Sequence, residues 1–299
     1  YMKKKPLIIL TGPTAVGKTS LSLSLAKAVN GEIISVDSMQ VYRYMDIGTA
    51  KITPDLMKDF PHYLINEFDP DEDFNVVKFQ QYAKRYIKSI HDRGKLPILV
   101  GGTGFYIQSV LYDIDFDETD ADTTYRTELE QTARLRGSEY LHELLKEADP
   151  ESAEAIHPNN TKRIIRALEF IKQTGRPISA HNEEQRRKAS PYNYAYFVLN
   201  RDRDTLYKAI NQRVDIMIED GLVDEVRRLM NMGYNKNLVS MQGLGYKEII
   251  DYLEGSCSLD EAIEILKRDT RHYAKRQLTW FRREKDIIWV NKDEYRDEA

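Results

Sequence analysis

Two rhythms of apolar and polar positions run along this chain. Leu7-Ile8-Ile9-Leu10 is a short unbroken apolar run, the pattern of a strand buried on both faces. Leu21, Leu25 and Ala28 then recur at helical spacing up to Asn30-Gly31, a helix stop. Glu32-Ile33-Ile34-Ser35-Val36-Asp37 predicts a second strand ending in a carboxylate, and Leu64-Ile65 a short edge strand. Val77, Phe79, Tyr82, Tyr86 and Ile90 mark a helix over Phe74–Ile90, closed by Gly94. Pro97-Ile98-Leu99-Val100 is a further buried strand, running into Gly101-Gly102-Thr103-Gly104. Strands alternating with helices predict an α/β fold, a mostly parallel sheet covered by helices on both faces.

From Asp113 to Ser190 the rhythm is helical only. Helices are expected over Tyr125–Arg136, Tyr140–Ala148 and Thr161–Gln173, the last capped by Asn159-Asn160. In it Ile164, Ile165, Leu168 and Ile171 share one apolar face, and Gly175 with Pro177 ends it. This predicts a helical insertion domain, residues 113–190, in a core built from residues 1–112 and 191–299. Beyond Pro191 come a return strand at Tyr194–Leu199 and two helices ending near Gly221 and Gly233. A turn at Gly243-Leu244-Gly245-Tyr246 follows, then a basic helix over Glu261–Arg283 and a last strand at Ile287–Val290. Tyr273, Trp280 and Phe281 in the basic helix are assigned to core packing.

Composition narrows this picture. A chain of 299 residues fits one large or two modest domains. Its net charge of −4 excludes indiscriminate coating of nucleic acid but leaves room for a local basic groove. Charge is segregated: acids crowd Asp113, Asp115, Asp117, Glu118, Asp120 and Asp122. Bases crowd Lys162, Arg163 and Arg166, and later Arg268, Arg271, Lys275, Arg276, Arg282 and Arg283. The lone Cys257 excludes an internal disulfide and a cysteine zinc site, so a cytoplasmic setting is expected. The apolar run after Lys3-Lys4-Lys5 is too short for a signal peptide, and no stretch approaches a membrane span.

The candidate chemistry begins between the first strand and the first helix. Gly12-Pro13-Thr14-Ala15-Val16-Gly17-Lys18-Thr19 is G-x-x-x-x-G-K-[ST], in the strand–loop–helix setting the P-loop requires. Its glycines let backbone N–H groups turn inward, and the helix N-terminus adds a positive dipole. Lys18 supplies a point charge, and the Thr19 hydroxyl can ligate Mg²⁺. Ligands of a parallel sheet sit at the carboxyl ends of its strands. Asp37 and the Gly101–Gly104 turn should therefore converge on the same crevice. Asp37 is the candidate general base, with a capping or Mg²⁺-associated carboxylate as the plainer alternative. Thr103 by itself is a turn hydroxyl.

These residues define a P-loop protein acting on a phosphorylated compound without choosing the reaction. A small-molecule or nucleoside kinase fits the same corners, and so does a nucleotide-dependent RNA-binding protein. A GTPase fits poorly. Asn291-Lys292-Asp293-Glu294 ends in glutamate where guanine recognition needs aspartate, and Ser38-Met39-Gln40 after Asp37 is not a D-x-x-G switch.

Several motifs taken together are more specific. GPTAVGKT at Gly12–Thr19, DSMQVY at Asp37–Tyr42, Gly48-Thr49-Ala50-Lys51 and GGTGFY at Gly101–Tyr106 resemble the bacterial tRNA dimethylallyltransferases. So do His157-Pro158-Asn159-Asn160, RIIRALE at Arg163–Glu169 and Gly243-Leu244-Gly245-Tyr246-Lys247. The resemblance runs to about Phe281. It implies transfer of a dimethylallyl group from its diphosphate to N6 of adenosine-37, just 3′ of the anticodon. The P-loop residues, with Arg213 as a further candidate, would hold the departing diphosphate with Mg²⁺. Asp37 would take the N6 proton, and Thr103 would help place the adenine or the diphosphate. The resemblance also implies tRNA contacts from Asp37, Ser38, Met39 and Gln40, from Thr103, and from Arg126. Further contacts would come from Lys162, Arg163, Ile164, Ile165 and Arg166, and from Gln242, Gly243, Leu244, Gly245, Tyr246 and Lys247. At Lys162 the family often carries glutamine, so a phosphate contact is expected there.

Overall fold

A computed structural model of the chain describes residues 3–116 and 123–295. Of the acidic run, Asp117, Glu118, Asp120 and Asp122 lie outside the described residues. The chain forms two compact units, residues 1–111 with 191–299, and residues 112–190. Among the described residues no helix is long and apolar enough to cross a membrane.

The first unit opens with β1 (Lys5–Thr11), α1 (Lys18–Val29) and β2 (Gly31–Ser35). The short α2 (Pro54–Met57) and β3 (His62–Tyr63) follow, then α3 (Val76–Asp92), β4 (Leu96–Val100) and α4 (Gly104–Leu111). The second unit supplies α5 (Thr123–Arg136), α6 (Ser138–Ala148), α7 (Pro150–Ala155), α8 (Thr161–Thr174) and α9 (Ile178–Arg187). The chain then returns with β5 (Tyr192–Asn200), α10 (Arg203–Glu219) and α11 (Leu222–Asn231). It ends with α12 (Tyr246–Leu253), α13 (Leu259–Phe281) and β6 (Ile287–Asn291).

All six strands run parallel, in the order β3-β2-β4-β1-β5-β6. The chain leaves β1 for β2 and β3, comes back to β4 beside β1, and then builds outward on the other side with β5 and β6. Leu10 lies opposite Val100, and Val100 opposite Ser35, so β1, β4 and β2 end level with one another. Their carboxyl ends therefore deliver the P-loop, the Gly101 turn and the Asp37 turn to one edge, as the parallel arrangement requires. Apolar runs explain the burial. Every residue of β2 is buried, and Leu10, Val16, Leu199, Leu206 and Ile210 form one core cluster with Ala274 of α13. Each such side chain is worth about 1.5–3 kcal/mol when fully withdrawn from water.

The second unit has its own core, in which Leu129, Leu141, Leu145, Ile164, Ile165 and Leu168 pack together. Asn160 caps α8 by accepting the Arg163 N–H at 3.3 Å, and Gly175 ends it in a left-handed conformation (φ 69°). Asp115 pairs with Lys188 at 2.6 Å.

The expected elements differ from the observed ones in three ways. β2 stops at Ser35, so Asp37 stands in a turn two residues past the strand rather than on its end. The edge strand is His62–Tyr63, not Leu64-Ile65, because Leu64 and Asn66 adopt left-handed backbone (φ 61° and 56°) and turn the chain away. Helices α2, α4, α7, α9 and α12 were not expected. All are ten residues or fewer, and a span that short carries too few turns to show a period.

Candidate active site

A cavity of about 430 Å³ opens at the carboxyl edge of the sheet, entirely within the first unit. The P-loop forms one side. Gly17 (φ 99°) immediately precedes α1, and a Cβ there would come within 2.6 Å of the Lys292 Nζ. The backbone angle is what requires glycine, since the lysine end is flexible and can move aside. Thr14, Ala15, Gly17, Lys18 and Thr19 reach the cavity, whereas Gly12, Pro13 and Val16 are buried behind it. Lys18 Nζ donates to the carbonyls of Gly12 and Pro13, each at 2.9 Å. Burial, with Arg213 nearby, pulls the Lys18 pKa down to about 7, against an upward pull from Asp37.

Asp37 faces the same cavity. Its Oδ1 accepts the backbone N–H groups of Met39 at 2.7 Å and Gln40 at 3.0 Å, so the carboxylate shapes its own turn. The capping alternative and the candidate base are thus the same group. Desolvation raises the Asp37 pKa above its ordinary value; the two N–H donors, Lys18 and Lys51 oppose that rise. Next to it, Gly101 has no room for a Cβ, because the Val36 backbone carbonyl occupies the space, and its φ is 156°.

The loop after Asp37 is braced from below. Glu225, buried on α11, accepts the backbone N–H groups of Asp46, of Ile47 at 2.8 Å and of Gly48 at 3.3 Å. Lys51 Nζ donates to Tyr42 O at 2.6 Å, Asn66 Oδ1 at 2.7 Å and Asp46 Oδ1 at 2.9 Å. The Gly48–Lys51 motif is therefore a braced segment whose Gly48, Thr49 and Ala50 line the cavity.

The remaining wall comes from α10 and α13. Arg213 Nη1 approaches Thr14 Oγ1 at 3.4 Å, which brings this candidate to the cradle. Tyr273, assigned above to the core, instead lines the cavity with Arg276 and Gln277. Burial, with Asp37, pushes the pKa of the Tyr273 hydroxyl up and keeps it protonated, while the Thr103 and Gln277 side chains beside it pull the other way. Thr103 is half-buried and is not among the residues that line the cavity. A signal for this wall exists in the sequence. Ala262, Leu266, Thr270, Ala274, Gln277 and Phe281 form the buried stripe of α13, and Thr270 and Gln277 are polar residues on it.

The residues for which tRNA contacts were expected divide unevenly. Ser38, Met39, Gln40 and Gln242 through Lys247 surround the same cavity as Asp37. The Tyr246 side chain is buried against Gly48, its hydroxyl donating to Glu225 Oε1 at 3.4 Å, so it supports the loop from beneath. In the second unit Lys162, Arg163 and Arg166 are exposed on α8. Ile164 and Ile165 are 0% and 5% exposed, and their side chains belong to that unit's core. Arg126 holds buried Glu169 through two bonds of 2.8 and 2.7 Å, keeping its remaining surface open.

Among the described residues no group of three His, Cys, Asp or Glu side chains could hold a metal ion. The Thr19 hydroxyl and the Asp37 carboxylate both line the cavity and are hard oxygen donors of the kind that suits Mg²⁺, which takes few protein ligands and completes its shell with phosphate oxygens and water.

A glycine-rich anion cradle at the carboxyl edge of a parallel sheet defines a P-loop α/β protein. Residues 40–284 match the family described as IPP transferase. The chain is 65% identical to a tRNA dimethylallyltransferase of Lachnoclostridium phytofermentans, over 99% of this chain and 94% of the relative. It is similar to the crystal structure of a full-length tRNA isopentenylpyrophosphate transferase from Bacillus halodurans (50% identity, TM-score 0.72, 97% and 90% of the two chains). It also resembles a eukaryotic dimethylallyltransferase captured acting on tRNA (31% identity, TM-score 0.82, 96% and 74% of the two chains). The chain belongs to the IPP transferase family, that of the tRNA dimethylallyltransferases.

Proposed function

We propose that this protein transfers the dimethylallyl group of dimethylallyl diphosphate to N6 of adenosine-37 in tRNA. The observation that carries this reading is the pairing of Lys18 and Asp37 in one cavity, an anion cradle against a single carboxylate. The N6 lone pair forms a bond to the allylic carbon while that carbon's bond to oxygen breaks, and the electron pair leaves with the diphosphate. Lys18, Arg213 and the N-terminus of α1 stabilise charge growing on the leaving oxygens. Asp37 takes the N6 proton. An aromatic amine is a weak nucleophile, and a carboxylate whose pKa is raised by desolvation is a stronger base for it. The Met39 and Gln40 amides hold that carboxylate in place. Tyr273, with Thr103 beside it, lines the cavity. Thr19 would hold Mg²⁺, which when bound neutralises part of the diphosphate charge.

An adenine stacked in an anticodon loop must be extruded to reach such a cavity. Ser38 through Gln40 and Gln242 through Lys247 form the surroundings it would enter. The exposed Lys162, Arg163 and Arg166 suit tRNA phosphates.

Incubating tRNA with dimethylallyl diphosphate, Mg²⁺ and the protein, then digesting the RNA for mass spectrometry, tests the reading. A dimethylallyl mass on adenosine-37 is expected, and Asp37→Ala should lower its rate about 10²–10⁴-fold. ATP consumption with a phosphorylated product, or tight tRNA binding with no change in the RNA, would replace it with a kinase or a binding protein.

A further inference from the structure

The peptide group between Pro13 and Thr14 is pinned from both ends. Its carbonyl oxygen accepts from Lys18 Nζ at 2.9 Å, and its N–H donates to Gln277 Oε1 at 2.9 Å. The Gln277 Nε2 donates in turn to Gly102 O at 3.1 Å. Gln277 is 6% exposed, and its amide nitrogen fills the space a Cβ on Gly102 would occupy. This carboxamide is therefore fixed by packing and by use of both its donor and its acceptor.

In a P-loop the backbone amides grip the proximal phosphates and the lysine reaches the distal ones. Here the lysine tip lies against the Pro13 carbonyl, so a distal phosphate would arrive beside the Pro13–Thr14 peptide. The Thr14 N–H beside that place is turned to Gln277, so no free amide meets an added phosphate, and the Pro13 carbonyl oxygen with its partial negative charge faces it instead. Ala15, Gly17, Lys18 and Thr19 remain open to the cavity.

We propose that Gln277 is a specificity-determining residue that closes the P-loop to a third phosphate and so selects a diphosphate over a nucleoside triphosphate. This rests on the proposed use of the cradle for a diphosphate. Removing the carboxamide frees the Thr14 N–H and the volume beside it. The cradle then gains affinity for a longer polyphosphate.

Titration calorimetry with inorganic pyrophosphate and inorganic tripolyphosphate, both with Mg²⁺, reads the cradle alone. The unaltered chain should bind pyrophosphate about tenfold more tightly than tripolyphosphate, and Gln277→Ala should erase that preference, chiefly by strengthening tripolyphosphate. Gln277→Asn, which keeps an amide but withdraws it by one methylene, should shift the ratio the same way and serves if the alanine variant does not fold. Pyrophosphate binding with no preference in the unaltered chain, or a ratio that folded variants leave unchanged, overturns the specificity role alone. Failure of the unaltered chain to bind pyrophosphate overturns the diphosphate reading with it.

Discussion

The two sides of the cavity are assembled in opposite ways. Gly12 through Thr19 are sequence neighbours, and their spacing alone makes the cradle. The rest of the wall brings Asp37 from a turn after β2, Arg213 from α10, and Tyr273 and Gln277 from α13, across more than half the chain. The cradle is a local device whose donors are backbone amides and one lysine. The far wall is a tertiary device whose side chains fix positions, as Gln277 does on Thr14 and Gly102. A local device tolerates no change in its own spacing, while a tertiary one depends on the packing of whole helices.

If the cradle supplies charge and the far wall supplies position, substitutions on the two sides should fail differently. On the cradle side, Lys18→Ala should lose about 10²–10³-fold in kcat/KM from missing stabilisation of the leaving diphosphate. An unchanged steady-state rate would remove the cradle from catalysis. On the far side, Tyr273→Phe keeps the ring and removes the hydroxyl that sits beside Thr103. A loss of about tenfold in kcat is expected, with Tm unchanged. If the Tyr273 hydroxyl acts through Thr103, Thr103→Ala should add nothing to it, and a double-mutant cycle reads that coupling. Full additivity would separate the two residues.

The pH dependence sharpens the contrast. Asp37 must be ionised to act as a base, and its raised pKa moves the acid limb of kcat/KM upward from the ordinary carboxylate value near 3.8. Activity should fall as pH drops through that higher value, and a limb at the ordinary value would contradict the desolvation. The smallest effect belongs to Lys18. Free Lys18 loses its charge above about pH 7, and a bound diphosphate favours the charged form. Pyrophosphate binding at pH 8 should take up close to one proton, and binding well below pH 7 should take up none from this group. Calorimetry in buffers of different ionisation enthalpy measures it.

Much of the fold was legible in the chain. Leu7–Leu10, Pro97–Val100 and Tyr194–Leu199 lie within observed strands, because unbroken apolar runs fit only a sheet covered on both faces. Where the pattern misled, the cause was local. The Glu32–Asp37 run looks like a strand to its end, yet Asp37 Oδ1 accepts two amides and converts the last step into a turn. Ile164 and Ile165 sit among the basic residues of α8, but the helical period turns them into a core and leaves Lys162, Arg163 and Arg166 outside. Tyr273 was assigned to packing because an aromatic residue on an amphipathic helix normally packs. It reaches the cavity only because α13 passes the carboxyl ends of β1 and β4.

By itself the sequence determined what short-range covalent spacing can determine: the glycine loop between strand and helix, the charge at its end, and the order of strands and helices. Only the tertiary structure decided which distant side chains complete the wall, that Thr103 stands beside Tyr273, and that Gln277 claims an amide of the loop. The reason is physical. A loop's backbone donors are fixed by a few consecutive dihedral angles, whereas a contact between residues 14 and 277 exists only once the sheet and the helices packed on it have set the distance.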